Sequence, residues 1–280
     1  MGIQNRTKEE VHTLEIFPRT PMEEALQPQP NIGMGEKTIR YLETWKLVKG
    51  MEFIQKGFFL LFKNEDSEKR LQERLGICPF SGSRVEEIAH TEKWEEELRE
   101  KIIEQIHSEQ AKWFNPTFII PKPHQKWRKI LDASALIKEI QTIHFKMNGT
   151  DQVRDLIRKG DWASSIDLKS VFHHLIVYPP HRPYLAFEAM GKVYQYRAMP
   201  LGTQLSPNFL AQALAMVLTK IRRESDIKIL NYVDDLLLLH LNKERLRKQT
   251  LIIMKILEAF GWTIAQEKCQ IEPKLQINFL

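Results

Sequence analysis

Apolar residues at Phe209, Ala213, Val217 and Ile221 recur every fourth position, which places all four on one helical face. The spacing predicts a helix over 206–221, with Ser206 as its cap and Pro207 at the first helical position. A second stripe, Leu246, Ile253, Leu257 and Phe260, predicts a helix over 244–260 that Gly261 ends. Trp94, Leu98, Ile102 and Ile106 follow the same rhythm and predict one amphipathic helix running as far as 106. A shorter helix is predicted in "GTDQVRDLIRKGDW", capped by Thr150 and closed by Gly160. "TIRYLETWKLVKGMEFIQKGFFLLF" reads as helix followed by an apolar extended piece.

Elsewhere the pattern is that of short strands. "NPTFIIPKPHQKWRKILDAS" predicts two strands around a loop marked by Pro121 and Pro123, and "WASSIDL" a strand ending at Asp167. "YLAFEAMGKVYQYRAM" predicts a hairpin turning near Gly191, and "IKILNYVDDLLLLH" a hairpin with Asp234 and Asp235 in its turn. Residues 1–35, with Pro18, Pro21, Pro28, Pro30, Gly33 and Gly35 and little periodicity, read as a flexible leader. Residues 36–110 read as a helical and extended lead-in, in which 63–91 form a charged surface connection, and 111–280 as the main domain. Strands and helices mix without regular β-α-β alternation, so the class is α+β. No internal repeat is found.

No apolar run approaches the ~18 residues of a membrane span. The start "MGIQNRT" resembles neither a signal peptide nor a myristoylation site. Two cysteines, Cys78 and Cys269, lie far apart, which predicts a reducing, intracellular setting without structural zinc. Nucleus and cytoplasm stay equally open. The net charge of +5 is uneven. Residues 1–100 hold 15 Lys/Arg and 19 Asp/Glu, a net of −4, whereas residues 101–280 hold 26 and 17, a net of +9. A basic surface around an acidic centre points to a polyanionic partner with a metal site inside it.

Adjacent carboxylates between apolar runs are the feature that calls for a cation, since ionised carboxylates resist burial. Asp pairs in turns are more often structural than catalytic, because Asp favours turns. Flanking leucines weaken that reading by holding Asp234 and Asp235 at the edge of a core. Asp167 ends an apolar strand too. If the two strands are neighbours, three acids converge, and hard oxygen ligands select Mg²⁺ or Mn²⁺. Two such ions about 4 Å apart suit nucleotidyl transfer.

"YVDD" in a hairpin resembles the catalytic signature of reverse transcriptases. "SSIDLKSVFHHLIV" resembles that family's first aspartate motif, "MPLGTQLSPNFL" its Gly…Ser-Pro motif and "KWRKILDAS" its fingers strand, all in the family's order. The resemblance runs from about Thr38 to the last residue. "HFKMNGTDQVRDLIRKGDW" and "YLETWKLV" look most like the DIRS-type retrotransposons, which integrate with a tyrosine recombinase. The resemblance implies the fingers and palm of a right-hand polymerase and RNA-directed DNA synthesis with two Mg²⁺ or Mn²⁺ ions. Its partners would be an RNA template, a DNA or RNA primer and a dNTP.

Role by role, the resemblance makes Asp167 and Asp234 metal ligands, Asp235 a less direct third, and the Leu168 carbonyl part of a metal's shell. Phe172 matches the sugar gate that excludes a 2′-hydroxyl. Lys122 and Arg128 match contacts to the incoming triphosphate. Gly202 matches a glycine whose backbone approaches the nucleotide, while Gln204, Ser206 and Pro207 line the template side. Lys268 matches a lysine that protonates pyrophosphate, and Tyr232 and Val233 touch the primer end.

The chain departs from the family pattern at Leu201, at Val171 beside the gate, and in lacking an Asn after "KWRKILD". "INFL" resembles the start of a primer grip, which predicts a thumb largely absent from this chain. Thumb, RNase H and recombinase are then expected on a longer or separate chain. The rival readings are a non-catalytic nucleic-acid-binding remnant and an RNA-dependent RNA polymerase, the latter opposed by Phe172. His173 and His174 read as adjacent strand residues with packing roles. Trp113, Trp127 and Trp162 read as partial core, and acidic residues 92–100 as a solvated helix face.

Overall fold

A computed structural model describes residues 33–123, 126–143, 149–276 and 279. The predicted leader falls outside the described residues up to position 32, as does most of "INFL". Its elements in chain order are α1 (Leu42–Lys46), α2 (Met51–Lys56), α3 (Asp66–Glu73), α4 (Arg84–Arg99), β1 (Ile103–Ile106), β2 (Thr117–Lys122), β3 (Lys126–Leu131) and α5 (Ser134–Ile137). There follow α6 (Thr150–Leu156), β4 (Trp162–Asp167), β5 (Ala186–Ala189), β6 (Lys192–Tyr196), α7 (Ser206–Glu224), β7 (Lys228–Tyr232), β8 (Asp235–His240), α8 (Lys243–Ala259) and β9 (Gln270–Lys274).

The strands form three antiparallel sheets. A four-stranded sheet has the order β7-β8-β4-β9, a three-stranded one β1-β6-β5, and β2 pairs with β3 alone. Leu236, Leu237, Leu238 and Leu239 are all buried because the four-stranded sheet is covered on both faces. Leu236 and Leu238 join the main core with Val217 of α7 and Leu246, Ile253 and Leu257 of α8. Leu237 and Leu239 instead form a second cluster with Ala163 and Leu230, against which Val153 and Leu156 of α6 pack.

Both long helices bury the stripes that their spacing predicts. α7 runs on to Glu224. Ser206 is its first residue rather than its cap; the Thr203 hydroxyl accepts the Ser206 N–H at 3.2 Å. α6 likewise begins at Thr150, after Gly149, whose N–H donates to Gln152 Oε1 at 2.7 Å. It stops at Leu156, and Gly160, at φ +90°, lies in the turn that leads into β4.

The predicted helix through 94–106 is two elements. α4 starts earlier, with a Ser83/Glu86 capping box, and ends at Arg99, after which Lys101 adopts φ 56°. Ile103–Ile106 is a strand paired with β6, Ile103 opposite Tyr196. The four-residue spacing crosses this break by coincidence: Leu98 is exposed, while the successive residues Ile102 and Ile103 are both buried. His173 and His174 lie in a 3-10 helix, Val171–His174, rather than a strand.

Trp45, Ile54 and Phe58 belong to the same core as Phe209 of α7 and Phe260, just after α8. Trp45 meets the Phe260 ring edge-on at 5.0 Å, and its Nε1–H donates to the Phe260 carbonyl at 3.0 Å. No helix among the described residues is long and apolar enough to cross a membrane.

Candidate active site

Strand pairing brings the acids together. β4 and β8 run antiparallel in a register that sets Asp167 directly opposite Asp235, while Tyr232 faces Asp235 from β7. Asp235 is therefore the first residue of β8, not part of the turn. Val233 and Asp234 make that turn, with Val233 at φ 52°, a left-handed conformation that costs a β-branched residue energy. The Leu168 N–H donates to the Asp234 carbonyl at 3.0 Å, tying the turn to the end of β4.

Two of the three carboxyls, Asp234 and Asp235, are perturbed. Burial, reinforced by Asp234 and Asp167, pushes Asp235 up to about 6. Asp234 is also raised, by burial first and Asp167 next, with Lys268 and Arg128 opposing. One cation touches the group. Lys268 Nζ donates to Asp167 Oδ2 at 3.0 Å, and its pKa is raised by that bond. Asp167 Oδ1 is buried without a partner.

Lys122 and Arg128 converge on the same place. Burial lowers the Lys122 pKa, the charges of Arg128 and Lys268 lower it further, and Asp234 opposes them. Their strands form the ribbon β2–β3, with Ile120 opposite Arg128 and Lys122 opposite Lys126. Phe172 is half-buried in the turn after β4 and packs on the main core. Val171 beside it is buried in that core, so it does not crowd the site.

Gly202 has φ +113°, and a Cβ there would stand 2.3 Å from the Leu131 carbonyl oxygen. The close backbone approach at this glycine is thus to the end of β3. Exposed Gln204 lines an open groove of about 540 Å³ with Ser134, Ile137, Leu201 and Pro207. Ser206 is fully buried, and its hydroxyl donates to the Pro200 carbonyl at 2.9 Å. Tyr232 and Val233 are half-buried at the hairpin tip, next to the carboxyls.

A metal would have to fit this donor set. Hard carboxylate oxygens, an orphaned buried Asp167 Oδ1 and carboxyls held above their ordinary pKa suit an oxygen-seeking dication. Among the described residues no three His, Cys, Asp or Glu side chains are already arranged around one point. Asp167, Asp234 and Asp235 are thus neighbours in the sheet without forming the three-acid cage that the sequence predicts, and Lys268 is in contact with Asp167.

Two buried residues escaped the sequence. Glu97, expected on a solvated face, points inward to Lys129, Nζ to Oε2 2.6 Å. Asn115 is fully buried and donates to the carbonyls of Tyr184 and Ala186 at 2.9 and 3.2 Å. Alternation along β3, with Lys129 one residue after an outward Arg128, was the available signal for the first. Nothing in the sequence marks the second.

The fold is that of reverse-transcriptase fingers and palm. It superposes on the prototype foamy virus protease-reverse transcriptase with a TM-score of 0.63 at 19% identity, covering 81% of this chain and 28% of that one. The model of the family "Reverse transcriptase (RNA-dependent DNA polymerase)" matches residues 120–280, and the chain belongs to that family. It is 31% identical over 174 residues to the Gag-Pro-Pol polyprotein of Human T-cell leukemia virus 2, over 59% of this chain and 12% of that protein. It is 28% identical over 167 residues to the Intracisternal A-particle Pol-related polyprotein of Mouse intracisternal a-particle MIA14, over 57% of this chain and 19% of that protein. The chain thus spans less than a fifth of the length of these relatives.

Proposed function

We propose that this chain carries out RNA-directed DNA polymerisation, adding deoxynucleotides to a primer 3′-hydroxyl. The observation that carries the reading is the register of Asp167 opposite Asp235, with Asp234 in the adjoining turn and the charges of Arg128 and Lys122 bearing on it. Asp167 and Asp234, with Asp235 and the Leu168 carbonyl behind them, would hold two Mg²⁺ or Mn²⁺ ions. Such ions, when bound, activate the attacking hydroxyl and stabilise the leaving pyrophosphate.

The chain's own residues do the rest. Arg128 and Lys122 donate to triphosphate oxygens, charge-assisted bonds that orient the nucleotide and offset its charge. Phe172 closes the space under the sugar, so a 2′-hydroxyl is refused by contact rather than by a lost bond. Lys268 Nζ, on leaving Asp167, carries a proton to the departing pyrophosphate. Tyr232 and Val233 seat the primer end, and the groove at Gln204 and Pro207 takes the template strand, braced from behind by the buried Ser206. The surplus of cations in 101–280 supports a polyanionic partner held by phosphate contacts.

The partners would be an RNA template with a DNA or RNA primer, and a thumb, RNase H and recombinase carried on a longer or separate chain. "HFKMNGTDQVRDLIRKGDW" and "YLETWKLV" support a DIRS-type retroelement as the source. Two free cysteines are consistent with work in a reducing compartment.

Primer extension tests the reading. A poly(rA)–oligo(dT) duplex with dTTP and Mg²⁺ or Mn²⁺ is extended by the native chain and not by Asp234→Asn. Phe172→Ala admits rUTP. Tight duplex binding with no extension in either metal, even with a thumb-bearing longer chain, would sink the polymerase reading.

A further inference from the structure

A buried polar cluster lies behind the site and belongs to neither its metals nor its nucleotide. Lys129 Nζ donates to Glu97 Oε2 at 2.6 Å, and the Tyr196 hydroxyl donates to the same oxygen at 3.3 Å. The Lys129 side chain is 1% exposed and that of Glu97 11%. Lys129 Nζ also sits 3.9 Å from the centre of the Phe187 ring. The hydrogen bonds of the cluster therefore join α4 and β3 to β6.

A two-stranded ribbon such as β2–β3 is marginal alone and needs an element to lie on. Its inner face, Thr117, Ile119, Lys129 and Leu131, is buried, and α4 supplies the support. Part of that contact is polar: Glu97 takes Lys129, and His90 Nε2 meets the Thr117 hydroxyl at 2.9 Å. Burying an ion pair yields no more stability than apolar residues of the same size, yet it admits far fewer geometries. Consecutive strand residues face opposite ways, so where Lys129 is pinned inward decides where Arg128 stands outward.

We propose that Lys129 and Glu97, with Tyr196, form a positioning cluster that sets Arg128 on the outer face of the ribbon. Through Arg128 it governs nucleotide affinity. None of the three touches substrate. The inference rests on the reading of Arg128 as a nucleotide contact.

The test compares Lys129→Met, Glu97→Gln, Arg128→Ala and the Lys129→Met/Arg128→Ala double variant. Hydrogen exchange of the β2–β3 amides is read beside that of β4–β8, and dTTP affinity is read on a dideoxy-terminated primer–template, which needs no turnover. Lys129→Met is expected to speed exchange in the ribbon about tenfold while β4–β8 is unchanged. It weakens dTTP about tenfold and adds nothing in the Arg128→Ala background. Unchanged ribbon exchange, or faster exchange with native dTTP affinity where Arg128→Ala weakens it, overturns the proposal. Native dTTP affinity in Arg128→Ala itself marks a failure of the Arg128 assignment and takes this coupling with it, whatever the exchange shows.

Discussion

Lys268 Nζ stands 3.0 Å from Asp167 Oδ2, with the other oxygen of that carboxylate buried and unpartnered. The short 3-10 turn Gln266–Lys268 delivers the ammonium there, directly after Ala265, whose N–H donates to the Asp167 carbonyl at 2.9 Å. An exposed pair of this kind contributes ~0–1 kcal/mol. A divalent ion has to displace it, so Lys268→Met is expected to bind Mn²⁺ up to about fivefold more tightly. Calorimetric titration of Mn²⁺ reads this; weaker binding in the variant would mean that Lys268 assists the ion rather than competing with it.

His174 gives the fold an acid limit. It is fully buried between the Val171 carbonyl and the Thr263 hydroxyl, the latter at 2.9 Å, and burial drives its pKa down to about 3. In the unfolded chain the imidazole takes a proton near 6.5. Its contribution is therefore complete above pH 6.5 and is lost as pH falls toward 3, at about 1.4 kcal/mol per unit. Urea unfolding is expected to lose about 2 kcal/mol from this group between pH 6.5 and 5. His174→Gln should flatten that slope.

Gly202→Ala tests the seam between β3 and the segment before α7. Its φ of +113° and the 2.3 Å approach to the Leu131 carbonyl penalise any Cβ. The expected loss is about 3 kcal/mol, from strain and overpacking together. Gly191→Ala has φ +71° but open space around it, so it is expected to lose only ~1 kcal/mol. Equal losses in denaturant unfolding would remove the contact argument.

Trp45→Ala tests whether the segment before α4 is structural. Trp45 is fully buried, packs edge-on against Phe260 and Trp262 and donates to a carbonyl 215 residues away. Such a truncation costs ~3–5 kcal/mol. Leu47→Ala, at an exposed position, is expected to stay within about 0.5 kcal/mol. A native Tm for Trp45→Ala would show that this segment is dispensable.

Much of the site was legible because its residues sit in short runs with strong local patterns. The apolar stretch before Asp167 and the leucines after Asp235 mark strands that end at carboxylates, and the stripes of α7 and α8 need only the 3.6-residue period. Failures came where two elements share one rhythm. Trp94, Leu98, Ile102 and Ile106 keep a helical spacing across the end of the helix at Arg99 and the turn at Lys101, because periodicity records which residues are apolar and not what they pair with.

What the sequence by itself determined is local: which residue types carry the chemistry, and in which element each lies. Tertiary structure alone decided the partners. That Asp167 faces Asp235 follows from a register between strands almost seventy residues apart, which hydrogen-bond pairing and two covered faces select. That Lys268 is the cation on Asp167, and that Glu97 turns inward to Lys129, depends on packing between distant segments. A charge is stable in a buried place only when its neighbour is there too, and no local pattern records that neighbour.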